Sequence, residues 1–501
     1  YVLYVIPFIL GLLSTLSFQP FNFTIINFII LPIFFFLIIY IKKKSKNMYR
    51  KKPFLKNLFL FGFIFGFGFY LSGIFWVSYS LTFNENFKFL IPFAVILIPL
   101  FLALFVGVTT LLVGQFLNYN FSSILLFSAS LAISDFIRGK ILTGFPWNAW
   151  SYSWSWFSEI LQPLNLIGMY AFNLLAITIF IAPVCLFFKI NTSRKIFFLS
   201  STLLLLFTAY IYGTLTINKN NALKNYYQEK DKIYTKVISP NFDLKYNATI
   251  DEIELKLKKL IRFSEPDKQK KTLFIWPEGV FTGFYLKEIS QFKNYIEKNF
   301  GEDHFILFGI NTVDHSNNKY YNSLVLINNK FEVIQLYKKQ KLVPFGEFLP
   351  FESMLSKIGL KKITEGHGSF LSGKNQNNLK FDKLNILPLI CYEIIFTKFI
   401  QVSNINSNLI INISEDGWFG NSIGPYQHFT HSIFRAVESG KYLIRSANNG
   451  ISAIINPIGT VEKKIPFGNS GYIDFSEKKV FKPTLFSQHG NKMFLIIILL
   501  Y

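Results

Sequence analysis

The sequence predicts two regions of different fold class. A multi-span α-helical membrane domain occupies 1–218, an α/β layered sandwich 219–489, and 490–501 opens one further span. Three observations carry this reading. The 501 residues are 51% hydrophobic and 18% aromatic, with 60 phenylalanines, richer in apolar side chains than an ordinary soluble chain. Apolar runs near the ~20 residues that a bilayer crossing needs dominate the first 215 positions and then stop. Beyond them, short β-branched runs alternate with helical stretches, the pattern of strands with interleaved helices.

The same totals exclude other classes. Two cysteines build neither a disulfide framework nor a thiolate-rich metal site. No long polar or heptad-patterned tract exists, so disorder and coiled coil are excluded. The 51 Lys and Arg against 29 Asp and Glu, formal net charge +22, suit a nucleic-acid binder or a membrane chain with basic loops. The position of the charges decides between them.

Spans are predicted near 2–18, 22–41, 56–79, 89–117, 122–136, 164–188 and 195–213. The fifth is short and closed by Asp135 and Arg138, which leaves six as the alternative count. Lys42, Lys43, Lys44, Lys46, Arg50, Lys51 and Lys52 follow the second span; Lys189, Arg194 and Lys195 follow the sixth. The positive-inside rule puts both loops in the cytoplasm, so the N-terminus lies inside and the domain after a seventh span outside. Nucleic acid is not needed to explain the charge. Gly62 and Gly66, one turn apart, suit close helix packing; a flexible Phe-rich helix is the plainer reading. Trp147, Trp150, Trp154 and Trp156, between spans five and six, suit an interfacial aromatic belt or a rest for an acyl chain. The stretch 493–500 is too short to span alone and reads as the start of an eighth span, cut short, or as an interfacial anchor.

In the second region, strands are predicted at 273–276, 305–310, 324–327, 386–390, 409–413, 443–445 and 452–455, and helices near 249–264, 286–299 and 427–440. Roughly 270 residues suffice to bury a core.

Cys185, inside an apolar run, reads as a small core residue. Cys391 follows a buried strand and opens the polar pair Tyr392 and Glu393, a place from which a nucleophile projects. A thiol is only slightly ionised near neutral pH, so a catalytic cysteine needs a proton acceptor or a thiolate-stabilising partner. Glu278, at the end of Trp276-Pro277-Glu278, is one candidate. Lys338, Lys339, Lys341 and Glu347, around a Pro-Phe-Gly turn, supply others. On spacing alone Cys391 remains either core or catalytic, the lysines a solvated run, and each glutamate a surface turn. His428 and His431 stand i, i+3 without an acidic third ligand, and no metal or other cofactor is expected.

Together these segments resemble the nitrilase superfamily, whose catalytic set is Glu, Lys and Cys in that chain order, and within it the apolipoprotein N-acyltransferase family. The resemblance rests on Trp276-Pro277-Glu278, Leu342-Val343-Pro344-Phe345-Gly346-Glu347, Cys391-Tyr392-Glu393 and the tract 412–420, which includes Trp418 and Phe419. Gln427-His428, Phe434-Arg435-Ala436-Val437-Glu438, the tract 445–453 and Gly144-Phe145-Pro146-Trp147 extend it over nearly the whole chain. It implies an αββα sandwich, with Cys391 as nucleophile, Glu278 as general base and Lys339 as the catalytic lysine. Glu347, Tyr392, Glu393, Trp418, Phe419 and Trp147 are the implied supporting or substrate-binding residues. It further implies N-acylation of the N-terminal diacylglyceryl-cysteine of apolipoproteins from a phospholipid sn-1 chain, by ping-pong chemistry through a thioester. The implied location is the bacterial inner membrane, with the catalytic domain periplasmic. Glu415 and Gly417 depart from the usual Asn and Ala, Val280 from Ala, and Tyr246 from Trp. The competing readings are a membrane-tethered amidase or nitrile hydrolase, and a transporter or scaffold with a degenerate external domain.

Overall fold

The computed structural model describes all residues except 49–52, 223–233, 247, 315–318, 359–361, 363–368, 375–377, 402–405 and 477–481. Arg50, Lys51 and Lys52 of the basic loop lie outside the described residues. The chain forms two units. A helical one comprises Tyr1–Thr82, Lys88–Asn220 and Thr484–Tyr501, and an α/β one comprises Phe83–Phe87 and Asn221–Pro483.

Among the described residues of the whole chain, six helices are long and apolar enough to cross a membrane: Thr24–Ser45, Phe54–Phe83, Glu85–Gly114, Phe121–Arg138, Leu164–Phe187 and Thr192–Asn221. The run predicted at 2–18 gives only the shorter helix Val5–Ser17. The chain leaves helical geometry ahead of Pro20, as residues before proline disfavour the α conformation. A Cβ added to Gly62 would sit 2.0 Å from Thr110 Oγ1, so glycine is what lets helices Pro53–Ile74 and Ile91–Gly114 touch, and the close-packing reading holds.

One expectation for this unit is corrected. Trp147, Trp150 and Trp154 are only 1%, 3% and 7% exposed, so they are core residues rather than a belt; Trp156 alone is half exposed. Trp150 stacks on Phe69 with centroids 5.1 Å apart, Trp154 stacks on Phe180 at 5.5 Å, and Trp147 tilts against Trp76 at 4.9 Å. Asp135 and Arg138 close helix Phe121–Arg138 as expected, and both lie buried in its last turns, paired at 2.8 Å. Arg138 Nη1 also donates to the carbonyls of Phe145 and Trp147, and Asn173 Nδ2 donates to Asp135 Oδ2 at 2.9 Å. Backbone carbonyls and a paired carboxylate take the place of water for a charge inside an apolar unit.

In the α/β unit the strands are β1 (Tyr234–Ser239), β2 (Thr272–Ile275), β3 (His304–Asp314), β4 (Lys319–Asn328), β5 (Val333–Lys338), β6 (Leu379–Phe381), β7 (Leu384–Ile390), β8 (Leu409–Glu415), β9 (Tyr442–Asn448), β10 (Ser452–Ile455), β11 (Val461–Ile465) and β12 (Gly471–Phe475). They form two six-stranded sheets, ordered β12-β1-β2-β3-β4-β5 and β11-β10-β9-β8-β7-β6. The inner strands β1, β2 and β3 run parallel, as do β7, β8 and β9; the outer pairings are antiparallel. Val237, Leu273 and Leu307 of the first sheet share one core with Ile386, Ile411 and Ile444 of the second, so the sheets pack face to face.

On the far side of the first sheet, helix Ile250–Ser264 buries Ile253, Leu257 and Leu260 against Phe274, Ile306 and Phe308. These positions repeat at helical spacing, and each fully buried Leu or Ile contributes about 1.5–3 kcal/mol. Thr249 starts the helix: its hydroxyl accepts from Glu252 N while Glu252 accepts from Thr249 N, a capping box. Helix Gly424–Ser439 packs on β9 and β10, completing an αββα sandwich. The parallel strands thus deliver Glu278, Cys391 and Glu415 at or just beyond their C-terminal ends, where open α/β sheets keep reactive groups.

Candidate active site

Cys391 is the residue after β7 and the first of the 3-10 turn Cys391–Ile395. Its φ of +47° is left-handed, uncommon for a residue with a side chain, and it is 7% exposed. The turn is fastened by Glu393. Its carboxylate accepts from Ile390 N at 2.8 Å, from Gln340 N at 2.7 Å, from Lys341 N at 3.1 Å and from the Tyr337 hydroxyl at 3.0 Å. Glu393 therefore ties the cysteine turn to the segment bearing Lys339. Burial pushes its carboxyl up to about 7, although these N–H donors pull the other way.

Glu278 emerges from β2 through Pro277, which has no N–H to continue a ladder. Gly309 of β3 makes room for it, since a Cβ there would stand 2.9 Å from Glu278 Cα. Glu278 Oε2 accepts from Glu415 N at 3.1 Å, and Oε1 accepts from Asn322 Nδ2 at 2.7 Å. Lys339 lies just past β5 and is 1% exposed. Its Nζ is 2.9 Å from Glu347 Oε1 and 3.8 Å from Glu278 Oε1. Glu347 Oε2 in turn accepts from Val343 N at 2.8 Å, closing the Pro-Phe-Gly turn. The neighbouring lysines go elsewhere: Lys338 sits over the Tyr321 ring and Lys341 over Phe396.

Two carboxylates thus share one ammonium in a buried site beside a thiol. Burial opposes the Lys339 charge, but Glu347, Glu278 and Cys391 outweigh it and hold the amine protonated. Glu278 is raised by burial, with Glu347 adding to the rise and Lys339 and Asn322 opposing it. The Cys391 thiol is also pushed up, first by burial and then by Glu278, with Lys339 pulling against them. A resting thiol next to a carboxylate of raised proton affinity is arranged for proton transfer as the thiol attacks, not for a standing thiolate.

Of the other predicted residues, Tyr392 is buried with its ring edge-on to Phe396. Trp418 packs against Tyr246 and Phe83, and Phe419 meets His428 edge-on. Trp147 belongs to the helical unit, against Trp76 and Phe145. Glu415 accepts from Asn448 Nδ2 at 2.6 Å and Gly417 N at 2.8 Å, and burial lifts its carboxyl to about 8.

Sequence reasoning assigned no role to Asn322, whose side-chain amide reaches both Glu278 and Glu347, each at 2.7 Å. Its signal was a polar residue two positions before the apolar run 324–327 of β4. Also without a role was a second charged cluster. Asp416 accepts from Arg445 Nη2 at 2.8 Å and from Ser414 Oγ at 2.7 Å, and stands 2.9 Å from His428 Nδ1; Arg445 also bonds Asn412. Burial alone would raise Asp416, but Arg445 and His428 hold it down at about 2.

Two family models match the chain: "Apolipoprotein N-acyltransferase N-terminal domain" over residues 10–182, and "Carbon-nitrogen hydrolase" over 253–474. A curated apolipoprotein N-acyltransferase from Rhodopseudomonas palustris is 31% identical, covering 97% of this chain and 91% of its own. One from Rickettsia typhi is 34% identical, covering 99% and 96%. Among solved structures, a CN-hydrolase superfamily protein from Xanthomonas campestris covers 49% of this chain and 90% of its own at 14% identity, with a TM-score of 0.36. With relatives above 30% identity along almost its full length, the chain belongs to the apolipoprotein N-acyltransferase family.

Proposed function

We propose that this protein N-acylates the N-terminal diacylglyceryl-cysteine of apolipoproteins with the sn-1 acyl chain of a phospholipid, the last step of lipoprotein maturation, at the periplasmic face of the bacterial inner membrane. The observation that carries the reading is the convergence of Glu278 and Lys339 beside the left-handed turn that presents Cys391. Family membership and the long apolar helices support lipid-anchored substrates.

In the first half-reaction Glu278 takes the thiol proton while the sulfur of Cys391 attacks the ester carbonyl. The Lys339 ammonium and the N–H of Tyr392 stabilise the oxyanion. The C–O bond then breaks, Glu278 returns the proton to the departing lysophospholipid oxygen, and a thioester remains. In the second half-reaction the α-amine of the diacylglyceryl-cysteine attacks the thioester carbonyl and Glu278 accepts its proton; the C–S bond then breaks and Glu278 returns the proton to sulfur, restoring the thiol and leaving the amide. A site needing two membrane-anchored substrates in turn suits a ping-pong order, with one acyl chain held covalently between them.

The test supplies purified protein with acyl-labelled phospholipid and a diacylglyceryl-cysteinyl peptide, and weighs the peptide. A mass gain of one acyl chain on the peptide amine is expected. Release of free fatty acid with the peptide unchanged would replace the reading with a hydrolase.

A further inference from the structure

We infer that Asn322 is a positioning residue that keeps the general base ionised by bridging Glu278 to Glu347 through the two hydrogens of one amide nitrogen. The inference rests on the proposed role of Glu278 as base. Asn322 Nδ2 donates to Glu278 Oε1 and to Glu347 Oε1, both at 2.7 Å. Its backbone carbonyl meanwhile accepts from Lys339 N at 2.8 Å, so one residue of β4 touches three members of the cluster.

An amide N–H only donates. It therefore favours the ionised form of each carboxylate it touches, and like-charged carboxylates this close otherwise tend to trap a proton between them. The groups facing Glu278 are Lys339 past β5, Glu347 on the following turn, Cys391 after β7, and Glu415 at the end of β8. Glu347 and the burial of the site push Glu278 towards the protonated form. Lys339, Asn322 and the Glu415 N–H oppose them, and Lys339 is 3.8 Å from Glu278 but 2.9 Å from Glu347. Asn322 thus makes a shorter contact with Glu278 than the lysine does. A base that stays protonated cannot accept the thiol proton, so losing this amide should raise the pH at which the cysteine becomes reactive.

The measurement is the pH dependence of Cys391 alkylation by iodoacetamide, read by intact mass on the full chain in detergent, without lipid substrate and with Cys185→Ala removing the second thiol. In Asn322→Ala the acid limb is expected to move up by about 1 pH unit. In Asn322→Asp, a third carboxylate, it should move further. Asn322→Ser, which keeps one donor, should shift less than alanine and covers the case in which alanine fails to fold. A limb at the same pH in all three variants, with only the plateau lowered, would overturn the inference and leave Asn322 a packing residue. Glu278→Gln separates the two readings. The limb should vanish there, and its persistence would refute Glu278 as base. Normal limb behaviour in a protein that acylates no peptide would refute only the proposed substrates.

Discussion

Two buried charge clusters lie in the α/β unit, and they are balanced differently. Around Asp416, one carboxylate has Arg445, a histidine and a hydroxyl as partners, and it stays ionised down to about pH 2. Around Lys339, a single ammonium serves both Glu278 and Glu347, and Glu278 is raised above its ordinary range with a thiol beside it. The first cluster has more donors than its carboxylate needs, so nothing is left to move. In the second, a carboxylate is left with an appetite for a proton. A carboxylate matched by its own cation makes scaffold, and two that share one cation leave a base.

The widest separation between the clusters should come from Glu278→Gln. It is expected to slow lysophospholipid release about 10³-fold, within the range for a lost general base, while melting near the wild type. Equal loss of stability would erase the distinction. Asp416→Asn should do the reverse. Leaving Arg445 uncompensated is expected to cost about 3–5 kcal/mol, seen as a lower denaturation midpoint in detergent.

The pH dependence sharpens the contrast. Glu278 acts deprotonated and its folded affinity for the proton is raised, so single-turnover acylation should climb with pH along a limb lying above 4.5, its ordinary value. For stability the signs of the neighbouring residues oppose each other. Asp416, lowered to about 2, contributes stability above 3.8 that is lost as pH falls through 2. Glu415, raised to about 8, contributes stability below 4.5 that is lost as pH rises through 8. Glu415→Gln should accordingly flatten the fall in melting temperature between pH 5 and 8. The smallest effect is expected at Cys185, a fully buried cysteine of the helical unit, where Cys185→Ala should cost about 1 kcal/mol and leave acylation unchanged.

Much of this was legible in the sequence where burial was complete. The inner strands β2, β7, β8 and β10 fell within one or two residues of their expected bounds, because strands buried on both faces read as unbroken β-branched runs. The edge strands β5, β6, β11 and β12 were missed. Lys338, Lys380, Glu462, Lys463 and Asp474 break their pattern, as edges that face water allow. β1 was missed for another reason. Its partners β2 and β12 come later in the chain, β12 more than 200 residues on, and Lys236 interrupts its apolar run. Cys391, Glu278 and Lys339 stood out through motif and strand ends. Asn322 and Asp416 did not, since a polar residue within or just past a strand has no spacing partner until the sheets bring the carboxylates together. The tryptophans of 147–154 misled because an aromatic cluster beside a span reads alike whether it lines an interface or folds inward onto Phe69 and Phe180.

The central claim is that the deficit cluster makes Cys391 an acyl carrier. Its most direct measurement is intact-mass analysis of the full chain after exposure to phospholipid alone, followed by hydroxylamine and by peptide mapping. One hydroxylamine-labile acyl group on Cys391, absent from Cys391→Ala and from Glu278→Gln on the same time scale, is the expected result. An unmodified wild-type chain, or an adduct that survives in Cys391→Ala, would contradict it.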